Sequence, residues 1–170
     1  LIDLSQVECM LPLAASGIIH QSIHDTPGPR WGNRHPVFVP HGAFRCRGAD
    51  AWLVVAITND TAFRRLCHII GRPDFGDDPT LATAEGRRVR EAELEAAITN
   101  WTETQPPDDA MATLQASGIA AGVARGFNEL ITGEPHLLAR GFWLEIDRPI
   151  LGRHLQSTPT FRENAQPYAI

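Results

Sequence analysis

The sequence predicts an α+β fold: a small antiparallel sheet with helices packed on one face, preceded by an apolar helix and a proline-rich linker. Three patterns lead there. Short aromatic and β-branched runs at 43–47 and 52–57 flank Gly48-Ala49-Asp50 as the strands of a hairpin would. Phe63, Leu66, Cys67 and Ile70, and later Leu94, Ala97, Ile98 and Trp101, recur at helical spacing. A second alternating pair, 142–146 and 154–157, turns around Gly152. With 170 residues, 43% of them apolar, the chain has the material for a core of its own.

Leu1-Ile2-Asp3 reads as the close of a short strand, so the chain looks cut from something longer. Ser5 and Glu8 then have the spacing of a capping box ahead of an apolar stretch reaching about His24. That helix is apolar on nearly every side and needs cover all round, and Pro12 predicts a kink in it. Thr26-Pro27-Gly28-Pro29 stops it and opens the first linker.

After the first hairpin, Asn59-Asp60 caps a helix that Gly71 ends, with Pro73 following and Asp78-Pro79 opening a loop. A longer helix is expected from about Thr83 to Glu103. Its apolar side carries Leu94, Ala97, Ile98 and Trp101, and the charged run Arg87-Arg88-Val89-Arg90-Glu91 is expected to be solvated. Pro106-Pro107-Asp108-Asp109 caps a fourth helix, Met111 to Ala116, which Gly118 terminates. Ile119 to Val123 should be extended, with short helical turns at 128–130 and 135–140 before the second hairpin.

The chain has no lysine, which removes Schiff-base chemistry, a pyridoxal phosphate anchor and a phosphate-loop lysine. Any catalysis must rest on carboxylates, histidines, serines or cysteines. Neither G-x-S-x-G nor G-x-G-x-x-G occurs, so a hydrolase triad or a dinucleotide site would lack its usual signature. A net charge of −5 argues against nucleic acid as a partner, although fifteen arginines could still line one anion pocket.

Cys9, Cys46 and Cys67 are odd in number, lack C-x-x-C spacing and sit among apolar neighbours, as buried free thiols in a reducing compartment would. With no basic leader and no apolar run near ~20 residues, a cytoplasmic location without a membrane partner is expected.

Several groups invite a chemical reading and have a plainer one beside it. His20 and His24 have a zinc-ligand spacing without a third ligand, and serve equally as partners of a helix C-terminus. Asp77-Asp78 and Asp108-Asp109 look like acid–base pairs but stand where caps stand. The four tryptophans fall at element edges, where an indole buries its ring and keeps its N–H paired. The stretch Trp31-Gly32-Asn33-Arg34-His35-Pro36-Val37-Phe38-Val39-Pro40-His41-Gly42 is either an ordinary structural loop or, with two histidines and Arg34, a contact for an anionic ligand.

Several segments together resemble the class III CoA-transferases, the group that includes formyl-CoA and carnitine CoA-transferases and the related α-methylacyl-CoA racemases. The matching stretches are Ile2-Asp3-Leu4-Ser5 with its apolar helix, Gly32 through Gly42, Gly71-Arg72-Pro73, Asp78-Pro79 with Ala82-Thr83, the helix from Arg87 to Trp101, Gly118 through Gly122 and Glu134 through Phe142. They follow the family's order over residues 1–160.

The resemblance implies a division of the chain. Residues 1–25 would be a helix belonging to a large Rossmann-like domain, 26–42 a linker loop, 43–160 a small α+β domain and 161–170 a C-terminal tail. It also implies transfer of CoA between carboxylic acids through acyl-aspartate chemistry. The attacking aspartate would lie upstream in the large domain, since none of Asp3, Asp25, Asp50 or Asp60 matches that motif.

No cofactor would be bound by this chain. A coenzyme A thioester and a carboxylic acid would be substrates of the intact enzyme, an interlocked homodimer. In formyl-CoA transferase the corresponding loop is glycine-rich and closes over the acylated aspartate. The version here is stiffer and more apolar, and Arg34, His35, Pro36, Val37, Phe38, His41 and Gly42 are its candidate substrate-binding residues.

Two other readings stand beside this one: a racemase that removes a proton next to the thioester, and a non-catalytic dimerising module. Without its large domain, the apolar helix from Val7 to Ile19 is expected to meet a second copy or to pack irregularly on the sheet domain.

Overall fold

The hydroxyl of Ser5 accepts from the Glu8 N–H at 3.4 Å and starts helix α1, Gln6–Met10. Pro12 cannot supply an interior N–H, and the chain tightens into a 3₁₀ turn, Leu11–Ala14, before α2, Ala15–His24. Asp25 ends α2 in the left-handed region at φ 53°. The computed structural model describes residues 5–158, 162–163 and 166–167, so the strand expected at Leu1-Ile2-Asp3 lies outside the described residues, as does most of the tail from 161.

By internal contacts the chain divides into two compact units, residues 1–122 and 123–170. In the first, β1 (His41–Arg45) and β2 (Trp52–Ala56) pair antiparallel, with Gly42 opposite Val55 and Phe44 opposite Leu53. β3 (Ala120–Val123) lies beside β2. Phe44, Leu53 and Val55 are buried while Val54 is exposed, so one face of the hairpin meets the core.

Five helices supply most of the rest of that core: α3 (Asp60–Ile69), α4 (Pro73–Asp77), α5 (Ala84–Val89), α6 (Glu91–Thr102) and α7 (Pro107–Ala116). Val39, Cys46, Ile57, Leu81 and Ile119 complete it from the connections. Asn59 caps α3 through a 2.9 Å bond from the Ala62 N–H, as its position predicts. Gly71 leaves it at φ +71°. Pro73 not only follows but opens α4, taking the first helical position where its missing N–H costs nothing. A 3₁₀ turn, Pro79–Leu81, then leads to α5. Here Gly86 is obligatory, because any Cβ on it would drive into the Thr80 carbonyl oxygen.

The helix expected from Thr83 to Glu103 is in fact two, broken at Arg90 (φ −110°, ψ 22°). Arg90 reaches Asp78 at 2.6 Å and Glu93 at 2.8 Å, tying the end of α5 to the preceding turn and to α6. Hydrogen bonds from Thr80 and then from Arg90 hold the Asp78 carboxyl below its usual range.

The charged run is not solvated either. Arg87 is 2% exposed and Glu91 3%. For Glu91 the numbering explains it: on α6 it stands three residues before Leu94 and seven before Ile98, so its charge faces inward with that apolar stripe. Arg87, on the other side of the break, is turned inward toward the acceptors that surround it. The Arg87 Nε donates to the Val39 carbonyl at 2.7 Å and its Nη1 to that of Leu81 at 3.1 Å. Nη1 also meets Asp60 at 2.9 Å, and the guanidinium lies 4.7 Å from the Phe63 ring centre.

Cys46 and Cys67 are buried, but Cys9 is exposed, against expectation. No residue of α1, α2 or the turn between them is buried, and Val7, Leu13 and Ile23 are each more than two-thirds exposed. Among the described residues no helix is long and apolar enough to cross a membrane.

In the second unit, α8 (Phe127–Thr132) and α9 (Pro135–Ala139) precede the expected hairpin of β4 (Trp143–Arg148) and β5 (Gly152–Ser157). It runs in register from Trp143 opposite Ser157 to Arg148 opposite Gly152. The Trp143 indole N–H donates to the Leu130 carbonyl at 3.0 Å and joins hairpin to helix. A last short pair, β6 (Arg162–Glu163) and β7 (Gln166–Pro167), follows.

Replacing Arg87 by Ala strands three carbonyls, those of Val39, Leu81 and Ala82, and should lower stability by about 3 kcal/mol, read as a shifted urea midpoint with unchanged slope. Lys at this position should recover less than half of the loss, because one ammonium cannot serve the same fork of acceptors. A thiol reagent should label Cys9 in the native protein and spare Cys67, whose burial and the charge of Asp74 push its thiol up to about 11. Mass spectrometry before and after denaturation counts the thiols.

Candidate functional site

Between α2 and β1 the chain runs as an irregular loop whose carbonyls at 35, 36 and 39 are held by arginines of α5 and whose Arg34 side chain pairs with carboxylates of α6. Arg88 does most of this. Its Nη2 donates to the carbonyls of His35 at 2.7 Å and Pro36 at 2.9 Å, while Nη1 meets the buried Glu91 carboxylate at 3.2 and 3.3 Å. The Trp31 ring packs 5.1 Å from the same guanidinium.

Arg34 makes a two-pronged pair with Glu95, Nε to Oε1 at 2.8 Å and Nη2 to Oε2 at 2.7 Å, with Glu91 3.5 Å from Nε. The bond to Glu95, followed by the charge of Glu95, raises the Arg34 pKa and keeps it a cation. From Arg34 to Val39 the loop is therefore staked at four points to two helices.

Under this loop lies a cavity of about 800 Å³, lined by Pro29 to Arg34, by Gly42 to Phe44 at the start of β1, and by Arg88, Glu91, Glu95 and Thr99. Three arginines and two glutamates border it. Arg34 and Arg88 are matched by the two carboxylates, whereas Arg30 is exposed and has no ion pair among the described residues. Both glutamates are held by arginines, so neither is poised to attack a carbonyl carbon. Among the described residues no three His, Cys, Asp or Glu side chains gather as a metal centre requires.

Of the seven residues singled out by sequence, Arg34 and Gly42 line the cavity. His35, Pro36, Val37, Phe38 and His41 form the adjoining turn. The His35 Nδ1 accepts from the N–H groups of Val37 and Phe38, both at 3.1 Å, and its ring stacks on Phe38 with centres 4.5 Å apart. The His41 Nδ1 lies 2.7 Å from the Asn33 carbonyl oxygen.

Gly42 is buried in β1, where a side chain would press on the Phe44 ring at 3.3 Å. Sequence reasoning missed Arg88, Glu91, Glu95, Trp31 and Arg30. The legible signal was Glu91, three residues before Leu94 and seven before Ile98: a carboxylate on an apolar stripe implies a cation beside it.

The sequence pattern of CoA-transferase family III matches residues 1–169. A probable CoA-transferase of Mycobacterium tuberculosis is 32% identical over 71% of this chain and 15% of its own length. A succinyl-CoA--D-citramalate CoA-transferase of Chloroflexus aurantiacus is 28% identical over 98% of this chain and 41% of its own length. A formyl-CoA:oxalate CoA-transferase of Rhodopseudomonas palustris is 31% identical over 75% of this chain and 30% of its own. The crystal structure of a CaiB/BaiF family protein from Brucella suis matches in fold with a TM-score of 0.78 at 24% identity, over 98% of this chain and 42% of that one. The chain thus spans less than half the length of each of these proteins, and it belongs to CoA-transferase family III.

Proposed function

We propose that these residues form the C-terminal part of an acyl-CoA:carboxylate CoA-transferase, and that the loop from Asn33 to Gly42 borders the entry of the thioester. Family membership over residues 1–169 is the observation that carries this. An aspartate outside these residues makes the attack on the thioester carbonyl, forming an acyl anhydride and releasing CoA as the thiolate. The thiolate then attacks the aspartyl carbonyl of that anhydride, which frees the first acid as its carboxylate and leaves an aspartyl-CoA thioester. The carboxylate of the second acid attacks this thioester, giving a second anhydride and the thiolate again, and the thiolate takes the new acyl group and restores the aspartate. The pairing of Glu91 and Glu95 with arginines supports a nucleophile from elsewhere.

The contribution of this chain is position and charge. A loop held by Arg88 and Arg34 keeps its shape without an acyl group to close on, and the exposed Arg30 meets the negative end of a CoA or carboxylate. The whole enzyme is a cytoplasmic homodimer, and the exposed apolar residues of α1 and α2 meet the remainder of that enzyme.

Given an acyl-CoA, residues 1–170 alone should gain no acyl mass on any aspartate. An enzyme joining them to an upstream Rossmann-like domain should exchange CoA between two acids, with retention of configuration next to the carbonyl. Acylation of the shorter chain, or racemisation without exchange, would overturn the proposal. In the longer enzyme, Arg88→Ala should lower kcat/KM by roughly tenfold to a hundredfold through misplacement of the loop, with secondary structure by circular dichroism unchanged.

A further inference from the structure

His35 and His41 sit in one loop but use their rings in opposite ways. A backbone N–H can only donate, so the two N–H groups, of Val37 and Phe38, that converge on the His35 Nδ1 require that atom to be a bare acceptor. The neutral ring must then carry its proton on Nε2. This is the arrangement by which Asn or Asp organises a turn, with the ring nitrogen in place of the side-chain oxygen.

For His41 the partner is a carbonyl, which can only accept, so its Nδ1 carries a proton in the neutral ring and in the charged one alike. Protonation of His41 at Nε2 leaves its loop contact intact. Protonation of His35 places a hydrogen on Nδ1, facing two others, and both contacts are lost.

We propose that His35 is a pH-dependent latch, a positioning residue that holds the 35–38 turn only while its Nδ1 is unprotonated. The groups facing it are His41 from β1, 5.3 Å away between ring centres, Arg88 from α5 on its carbonyl, and Arg34 beside it in the loop. Glu91 and Glu95 of α6 face those arginines and are engaged by them.

Release is local. The carbonyls of His35 and Pro36 stay on Arg88, and that of Val39 on Arg87, so what opens is the segment carrying the half-buried Phe38 and the exposed Val37. If the loop borders the thioester as proposed above, the apolar wall it offers the acyl chain is present at neutral pH and loosened in acid. The latch itself does not rest on that reading.

The test reads histidine tautomers and amide exchange by NMR in the 170-residue protein, between about pH 8 and pH 5, where imidazoles change charge. At the upper end His35 should show the Nε2–H tautomer, with the Val37 and Phe38 amides protected. As its ring charges, their protection relative to intrinsic rates should fall about tenfold, while the Cys46 N–H, bonded to the Ala51 carbonyl at 2.8 Å, keeps its own. His35→Asn retains an acceptor at the same place without a titration and should keep both amides protected throughout. A proton on His35 Nδ1 at the upper pH, protection unchanged as the ring titrates, or acid loss in the Asn variant matching that of the native protein would each overturn the latch. None of these outcomes depends on whether the parent enzyme exchanges CoA.

Discussion

The first unit depends on one buried cation. Taking a guanidinium out of water is expensive unless nearly every N–H finds an acceptor, and around Arg87 the backbone is arranged to provide them. The Val39 carbonyl comes from the loop ahead of the sheet, those of Leu81 and Ala82 from the 3₁₀ turn ahead of α5, and the Asp60 carboxylate from the first turn of α3. Three segments distant in sequence are thus fixed around a single side chain. A hydrophobic residue of equal volume could fill the space but would accept any arrangement of those carbonyls, so the charge specifies this one. Among the described residues no buried side-chain nitrogen or oxygen lacks a partner, which is the condition under which such a core is tolerated.

The next residue extends the same principle toward chemistry. Arg88 turns one helical step further, to the loop, and is itself oriented by Glu91 on α6. Because Glu91 is buried, its charge must be matched at all times, and the pairing that matches it also fixes the loop. Coupling of this kind resists large motion. A glycine-rich lid gains reach by giving up such anchors, whereas a loop of His35-Pro36-Val37-Phe38-Val39-Pro40 staked to two helices gains a fixed wall and keeps its freedom for the few residues that no arginine holds. His35 governs those residues, which places the adjustable part of the loop within three residues of the rigid part.

Much of this was legible before any coordinates. The hairpin at 43–57, the Asn59 cap, the Gly71 and Gly118 stops and the second hairpin follow from local rules, because each depends on residues within a turn or two of one another. The break at Arg90 did not follow, since its cause is Asp78, twelve residues back and brought near by a turn. The burial of Arg87 and Glu91 is hidden for a different reason: a run of charges has the composition of a solvated face. Yet the spacing of Glu91 from Leu94 and Ile98 puts it on the inner face of α6, and Arg87 is drawn inward by carbonyls that only the fold brings together. In the loop, the importance of His35 and Arg34 was readable as composition. Their tautomer and partners were not, because those are set by carbonyls and N–H groups whose directions only the fold defines.

The apolar helix at the start obeys a separate logic. The buried apolar residues among those described run from Val39 to Ile119, so the sheet and its five helices complete their core without α1 or α2. Ser5, Pro12 and Asp25 nevertheless give that segment a proper start, a kink and a stop, and a helix so defined with Val7, Met10, Leu11, Leu13, Ile18, Ile19 and Ile23 turned outward is built to be covered. The two apolar sets are therefore addressed to different partners, one inside residues 39–119 and one beyond that core. The staked loop lies between them in sequence, and its anchors are charged side chains of α5 and α6, which belong to the self-contained part, so its shape is settled there whatever comes to rest on the helix.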